Sequence, residues 1–172
     1  MNKRETVSTN SEIDDANRSP ADRAWLRAES GVRGDMVEHR LALAPDIAEI
    51  PRLLDWVETC CDKAAIGHDA TFKLSLALEE AVANVINHAF AEMPPPHRVA
   101  VELTIAADRV SAVVIDNGRP FDPTASPDPA ANIPLEDRDP GGLGIHLIRK
   151  MMDRVGYRRI AGENRLHLEK SF

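Results

Sequence analysis

Apolar and polar positions alternate first at Val37, His39, Leu41 and Leu43, the period-two pattern of a half-buried strand. Asp46 then opens a helix, with Glu49 three positions later as a capping box. Ile47, Ile50, Leu54, Val57, Cys61 and Ala64 recur at steps of three and four, so one face of that helix is apolar. Pro51 lacks an N–H in the second turn, which predicts a distorted start, and Gly67 is the expected stop. A second helix is predicted over about 70–91, striped by Leu74, Leu78, Val82, Val85 and Ala89 and halted by Met93-Pro94-Pro95-Pro96. Val99, Val101, Leu103 and Ile105 alternate as a strand. Ala107-Asp108-Arg109 turns the chain into a more fully apolar strand, Val110 to Ile115. A proline-rich, acidic loop over 119–140 comes next, and its length marks it as functional or disordered. Gly141-Gly142 leads into a helix over 143–153. Strands Val155 to Ile160 and Arg165 to Lys170 close the chain around a turn at Gly162-Glu163-Asn164.

The order is strand, two helices, two strands, long loop, helix, two strands. Hairpin-length links predict an α+β fold of two layers, a mixed and mostly antiparallel sheet with helices on one face. Residues 1–35 stand apart: polar, mixed in charge and poor in large apolar residues, they read as a disordered segment. Ser19-Pro20 offers a start for a short helix within it. Residues 36–172 form the domain.

The 172 residues carry a formal net charge of −7, which disfavours nucleic acid as a partner because phosphate binding needs a basic surface. No apolar run is long enough for a membrane span, and no signal peptide is visible. Cys60 and Cys61 are adjacent, which argues against both a useful disulfide and a zinc site; they read as helix residues in a reducing cytoplasm.

Candidate chemistry falls in three clusters. Glu80, Asn84 and His88 sit four apart on the second helix, so a carboxylate, an amide and an imidazole share a face. Alone, that is an ordinary polar helix face. Asp116-Asn117-Gly118 comes directly after the apolar strand, where a carboxylate can accept from a ligand amine and a glycine admits close approach; alone, it is a turn. Gly141-Gly142-Leu143-Gly144 opens a helix, whose free N–H groups and dipole favour an anion; alone, it is a structural glycine turn. It lacks the lysine of a P-loop.

In order and spacing the three clusters resemble the N, G1 and G2 boxes of the GHKL ATPase superfamily over residues 37–172. Glu-Glu-Ala-Val-Ala-Asn-Val-Ile-Asn-His-Ala, Asp-Asn-Gly-Arg-Pro-Phe-Asp and Gly-Gly-Leu-Gly-Ile-His-Leu-Ile-Arg-Lys-Met-Met-Asp are similar to the forms of the anti-sigma-factor serine kinases, the RsbW-like family. Ile145 stands where leucine is commoner. The resemblance implies a Bergerat ATP-binding fold, ATP and Mg²⁺ as cofactors, and phosphoryl transfer to a protein serine. It implies Glu80 as general base, Asn84 as Mg²⁺ ligand, Asp116 on the adenine amine, and Gly118 beside the ring. Gly142, Leu143 and Gly144 would cradle phosphates, residues 123–140 would form a lid, and Arg138 in that lid is the candidate cation for the γ-phosphate. His88 is expected to pack or orient, and Glu79 to be solvated. Implied partners are a sigma factor and a small antagonist phosphorylated on serine, with a homodimer as a further expectation. A non-catalytic module that binds nucleotide and sequesters a partner is the competing reading. Glu80 argues against it, since binding alone needs no base. A histidine-kinase fragment and a chaperone-type ATPase rank lower.

Overall fold

The computed structural model of the chain describes residues 36–124 and 143–172. Its strands are β1 (Val37–Leu43), β2 (Val99–Ile105), β3 (Arg109–Asp116), β4 (Arg154–Ile160) and β5 (Glu163–Ser171); its helices are α1 (Ile50–Lys63), α2 (His68–Asn84) and α3 (Leu143–Met151). The segment 1–35 and most of the loop to the third glycine cluster, 125–142, lie outside the described residues.

The strands form a five-stranded sheet in the order β1-β2-β3-β5-β4. Every pairing among the described residues is antiparallel, so the parallel component of the expected mixed sheet is not seen there. The register explains the layering. Leu43, Val99 and Asp116 pair in line, as do Leu41, Val101, Val114 and Leu166, and Leu103, Ala112 and Leu168. Residues directly opposite share a face, so these rows make one apolar surface. Leu53, Val57, Leu74, Leu78, Val82 and Ile148 from the helices are buried against it in one core cluster. The α2 helix packs against both α1 and α3 as well as β3 and β5.

Local chemistry adjusts several boundaries. Asp46 does cap, accepting from the Ala48 N–H, but it opens a 3₁₀ turn over Ile47–Glu49 rather than the α-helix itself. Glu49 reaches back past the cap to the Ala44 N–H and also holds Arg52, so the expected capping box is not formed. Pro51 then sits in the first turn of α1, where its missing N–H costs nothing. Gly67 does not stop α1. Ala65, at φ 55°, takes the left-handed position, and Gly67 is extended and precedes α2. The final hairpin is tighter than expected: Ile160 pairs with Glu163 around Ala161-Gly162, which moves Asn164 out of the turn and into β5. The third helix ends at Met151, two residues early, because the Asp153 N–H bonds the Glu169 carbonyl as the chain enters β4.

Candidate nucleotide site

Apolar spacing carries α2 to Asn84, and the chain then widens into a π turn over Val85–Ala89. Such turns insert an extra residue and often occur at functional sites. Here it carries His88 and Ala89 around toward the end of β3. The two segments are tied there: the Arg119 N–H donates to the Ala89 carbonyl at 2.9 Å, and the Arg119 guanidinium to the His88 carbonyl at 3.1 Å. Between α2, the π turn, α3 and the ends of β3, β4 and β5 lies a cavity of about 480 Å³. That is ample for a nucleotide-sized ligand. Its lining is mainly apolar, with Ala81, Val85, Ile145, Ile148 and Leu166, and its polar groups are few: Asn84, His88, Asp116, Arg119, Tyr157 and Asn164. Phe121, about half exposed, stands among the lining residues.

Asp116 is the last residue of β3 and is 5% exposed. Its Oδ1 accepts from the Gly118 N–H at 2.7 Å and from Asn164 Nδ2 at 2.8 Å. Both donors use the same oxygen, so Oδ2 is the acceptor left for a ligand. Burial pushes this carboxyl above the ordinary aspartate value. The bonds from Asn164 and Gly118 and the charge of Arg159 pull it part of the way back, against Glu163.

Gly118 sits at the point of close approach between the end of β3 and the π turn. A Cβ on it would lie 2.6 Å from the Ala89 Cβ, 2.8 Å from the Ala89 carbonyl oxygen and 2.8 Å from Asp116 Oδ1. Only a hydrogen fits between the π turn and the carboxylate, so Gly118 closes the loop onto the helix end. Its neighbour Asn117 staples the proline segment: the Asn117 amide donates to the Pro96 carbonyl at 2.8 Å and accepts from the Arg98 N–H at 2.7 Å.

Glu80 and Asn84 sit one turn apart on α2, and both reach the start of α3. A Cβ at Gly144 would meet Glu80 Oε2 at 2.5 Å and Asn84 Nδ2 at 3.3 Å. The absent side chain of Gly144 is therefore what lets the carboxylate and the amide approach the helix-opening backbone. His88 lines the cavity with an exposed ring, and its carbonyl anchors Arg119. Glu79 is partly exposed. Gly142 and Arg138 lie outside the described residues; Leu143 opens α3, and only its backbone is described. At the root of the expected lid, Asp122 accepts from the Thr124 N–H and hydroxyl, and Arg149 of α3 donates to the Pro123 carbonyl at 2.6 Å.

No group of three or more His, Cys, Asp or Glu residues among those described is arranged to hold a metal ion alone. The donor set still fits Mg²⁺. That ion keeps several waters and takes one or two protein oxygens beside substrate phosphates, and the Asn84 amide oxygen can supply one. No helix among the described residues is long and apolar enough to cross a membrane.

Asn164, Arg159 and Tyr157 were not anticipated. Asn164 faces Asp116 across the β3–β5 pairing and Arg159 across the β4–β5 pairing. A tight Ala161-Gly162 turn was the signal that would have fixed this register.

Residues 43–170 match the model of the histidine kinase-like ATPase domain. The chain is 36% identical over 117 residues to the serine/threonine-protein kinase BtrW of Bordetella bronchiseptica, a match covering 67% of this chain and 80% of that one. It is 30% identical over 99 residues to the serine-protein kinase RsbW of Halalkalibacterium halodurans, covering 55% of this chain and 59% of that protein. It is 28% identical over 127 residues to RsbW of Staphylococcus epidermidis, covering 70% and 77%. The crystal structure of the RsbU and RsbW domains of a Mycobacterium tuberculosis protein superposes with a TM-score of 0.56 at 16% identity, over 77% of this chain and 32% of that one. That likeness extends to the fold.

Proposed function

Since the chain belongs to the histidine kinase-like ATPase domain family, we propose that it is an ATP- and Mg²⁺-dependent protein serine/threonine kinase. It acts as an anti-sigma regulatory factor in a bacterial partner-switching system. The observation that carries this reading is the convergence of Glu80 and Asn84 on the Gly144 backbone, beside a cavity with Asp116 buried in its wall.

Asp116 Oδ2 accepts from the exocyclic amine of adenine, and the apolar lining takes the faces of the ring. Asn84 would hold the nucleotide's divalent ion through its amide oxygen, and the first N–H groups of α3 would meet the phosphate oxygens. When bound, Mg²⁺ supplies the charge neutralisation that phosphoryl transfer requires. Glu80, one turn from Asn84, accepts the proton of a partner's serine hydroxyl as that oxygen bonds to the γ-phosphorus and the bond to ADP breaks. A module that only bound nucleotide would have no use for a carboxylate at that place, which favours the kinase over the sequestering module. Arg138 serves as the cation for the γ-phosphate, and Gly142 and Leu143 form part of the cradle. The partners are a sigma factor and a small antagonist that receives the phosphate. The protein works in the cytoplasm, where its buried free thiols, Cys60 and Cys61, stay reduced.

The test is incubation of the purified protein with γ-labelled ATP, Mg²⁺ and the products of neighbouring antagonist-type genes. Label appearing on a serine of one of them supports the kinase. Stable binding of nucleotide and partner without transfer contradicts it.

A further inference from the structure

A polar row crosses three strands at the base of the cavity. Asp116 on β3, Asn164 on β5 and Arg159 on β4 are direct cross-strand neighbours, and Tyr157 lies two residues along β4 on the same face. Asn164 is 5% exposed. Its Oδ1 accepts from the Tyr157 hydroxyl at 2.7 Å and from Arg159 at 2.6 Å; its Nδ2 donates to Asp116 Oδ1 at 2.8 Å and to the Arg119 carbonyl at 3.0 Å. The same Arg159 nitrogen also donates to the Gly118 carbonyl at 3.0 Å.

This row has a direction. A guanidinium has donors and no acceptor, so Arg159 dictates which end of the Asn164 amide faces it. The amide oxygen must point to Arg159, and the NH₂ must then point to Asp116. Asp116 Oδ1 thus meets two N–H donors, Asn164 Nδ2 and Gly118 N, and has no room for a proton of its own. The carboxylate is held in one rotation with Oδ2 as an acceptor toward the cavity. An acceptor there pairs with a purine carrying an amine at position 6 and repels one carrying a carbonyl, which would leave two buried acceptors face to face.

We propose that Asn164 is a positioning residue, locked in its amide orientation by Arg159 and Tyr157, that fixes Asp116 as a pure acceptor and so sets selection for 6-amino purine nucleotides over 6-oxo ones. This deepens the proposed function and rests on the cavity being a nucleotide site. The row also accounts for a polar cluster at the end of an otherwise apolar sheet face. Each member satisfies the next, as buried polar groups must.

The experiment is calorimetric titration of the whole chain with ADP and with inosine diphosphate, both with Mg²⁺. The proteins are the parent, Asn164→Ala, Arg159→Met and Arg159→Lys, and the reading is the ratio of the two affinities. A hydrogen bond to a charged group corresponds to roughly tenfold or more in affinity, so the parent should prefer ADP by at least that factor. Asn164→Ala and Arg159→Met should each lower the preference about fivefold or more, chiefly by weakening ADP. Arg159→Lys, which keeps a donor without an acceptor, should stay within about twofold of the parent. Arg159 is exposed overall, so Arg159→Met tests the row even if Asn164→Ala folds poorly. Equal weakening of both nucleotides would show a merely structural role and overturn the proposal. So would an unchanged preference in Arg159→Met. A parent that binds neither nucleotide overturns the nucleotide site itself; a parent that binds both while the variants keep its preference overturns only the positioning role.

Discussion

Gly118→Ala adds a single methyl group at the tightest point of the site. Its Cβ would sit 2.6 Å from the Ala89 Cβ and 2.8 Å from each of two oxygens, the Ala89 carbonyl and Asp116 Oδ1. Carbon contacts are comfortable near 3.5–4.0 Å, so relief requires a shift approaching an ångström. Neither of the two residues that supply these contacts can swing aside. Ala89 is held by the π turn and by the bond from Arg119 to its carbonyl, and Asp116 Oδ1 is held by the Gly118 N–H and Asn164. Overpacking of this kind costs about 1–3 kcal/mol. At roughly 4 °C per kcal/mol for a domain of this size, the melting temperature should fall by about 4–12 °C. Nucleotide affinity should fall as well, because the methyl pushes directly on the oxygen that fixes the carboxylate. The assays are thermal unfolding by circular dichroism and titration with ADP and Mg²⁺. A variant with parental stability and parental affinity would refute the close approach, and with it the account of how the loop seats Asp116.

Asp116→Asn should weaken adenine nucleotides by about 1–3 kcal/mol without destabilising the free protein at neutral pH. The Asp116 carboxyl is raised by burial, so its contribution to folding is present below the unfolded value and lost as pH rises through the folded one. Nucleotide binding runs the other way: affinity should drop as pH falls through that raised value in the parent and be flat there in Asp116→Asn, measured by titration across acidic pH. The Cys60 and Cys61 thiols are buried and pushed up by that burial, so Ellman's reagent at pH 8 should react slowly with native protein and fast in urea; fast native reaction would contradict their burial. Leu78→Ala, at a side chain with no exposure, should cost about 2–5 kcal/mol in urea unfolding; a loss under about 1 kcal/mol would mean the helical layer is looser than described. β1 is a sheet edge with Val37 about half exposed, so a homodimer using that edge should appear by light scattering at micromolar concentration; a monomer there would count against it.

Much of the layout was legible because period and punctuation agreed. Val99, Val101, Leu103 and Ile105 alternate, and they pair as β2 in the core. Leu74, Leu78 and Val82 repeat at helical spacing, and all three are fully buried. What misled was local competition for a turn. Gly67 reads as a stop, yet Ala65 takes the left-handed position, because the Ile66 N–H returns to the Cys61 carbonyl before Gly67 is reached. The site was legible in its chemistry but not in its supports. Asp116, Glu80 and Asn84 can be picked out by type and spacing. The Asn164–Arg159 row depends on strand register, which a one-residue error in the Ala161-Gly162 turn erases. The π turn depends on where the chain must meet β3, and no periodicity in Val85–Ala89 announces it.

Whether Glu80 takes a proton during transfer of phosphate to a protein serine is decided by initial-rate phosphotransfer from saturating ATP by Glu80→Gln beside Glu79→Gln. General-base help is worth about 10²–10⁴ in rate. Glu80→Gln should therefore bind ATP within a few-fold of the parent and lose most transfer, while Glu79→Gln, about 100° around the helix, should transfer nearly as the parent does. Parental transfer by Glu80→Gln would contradict the account.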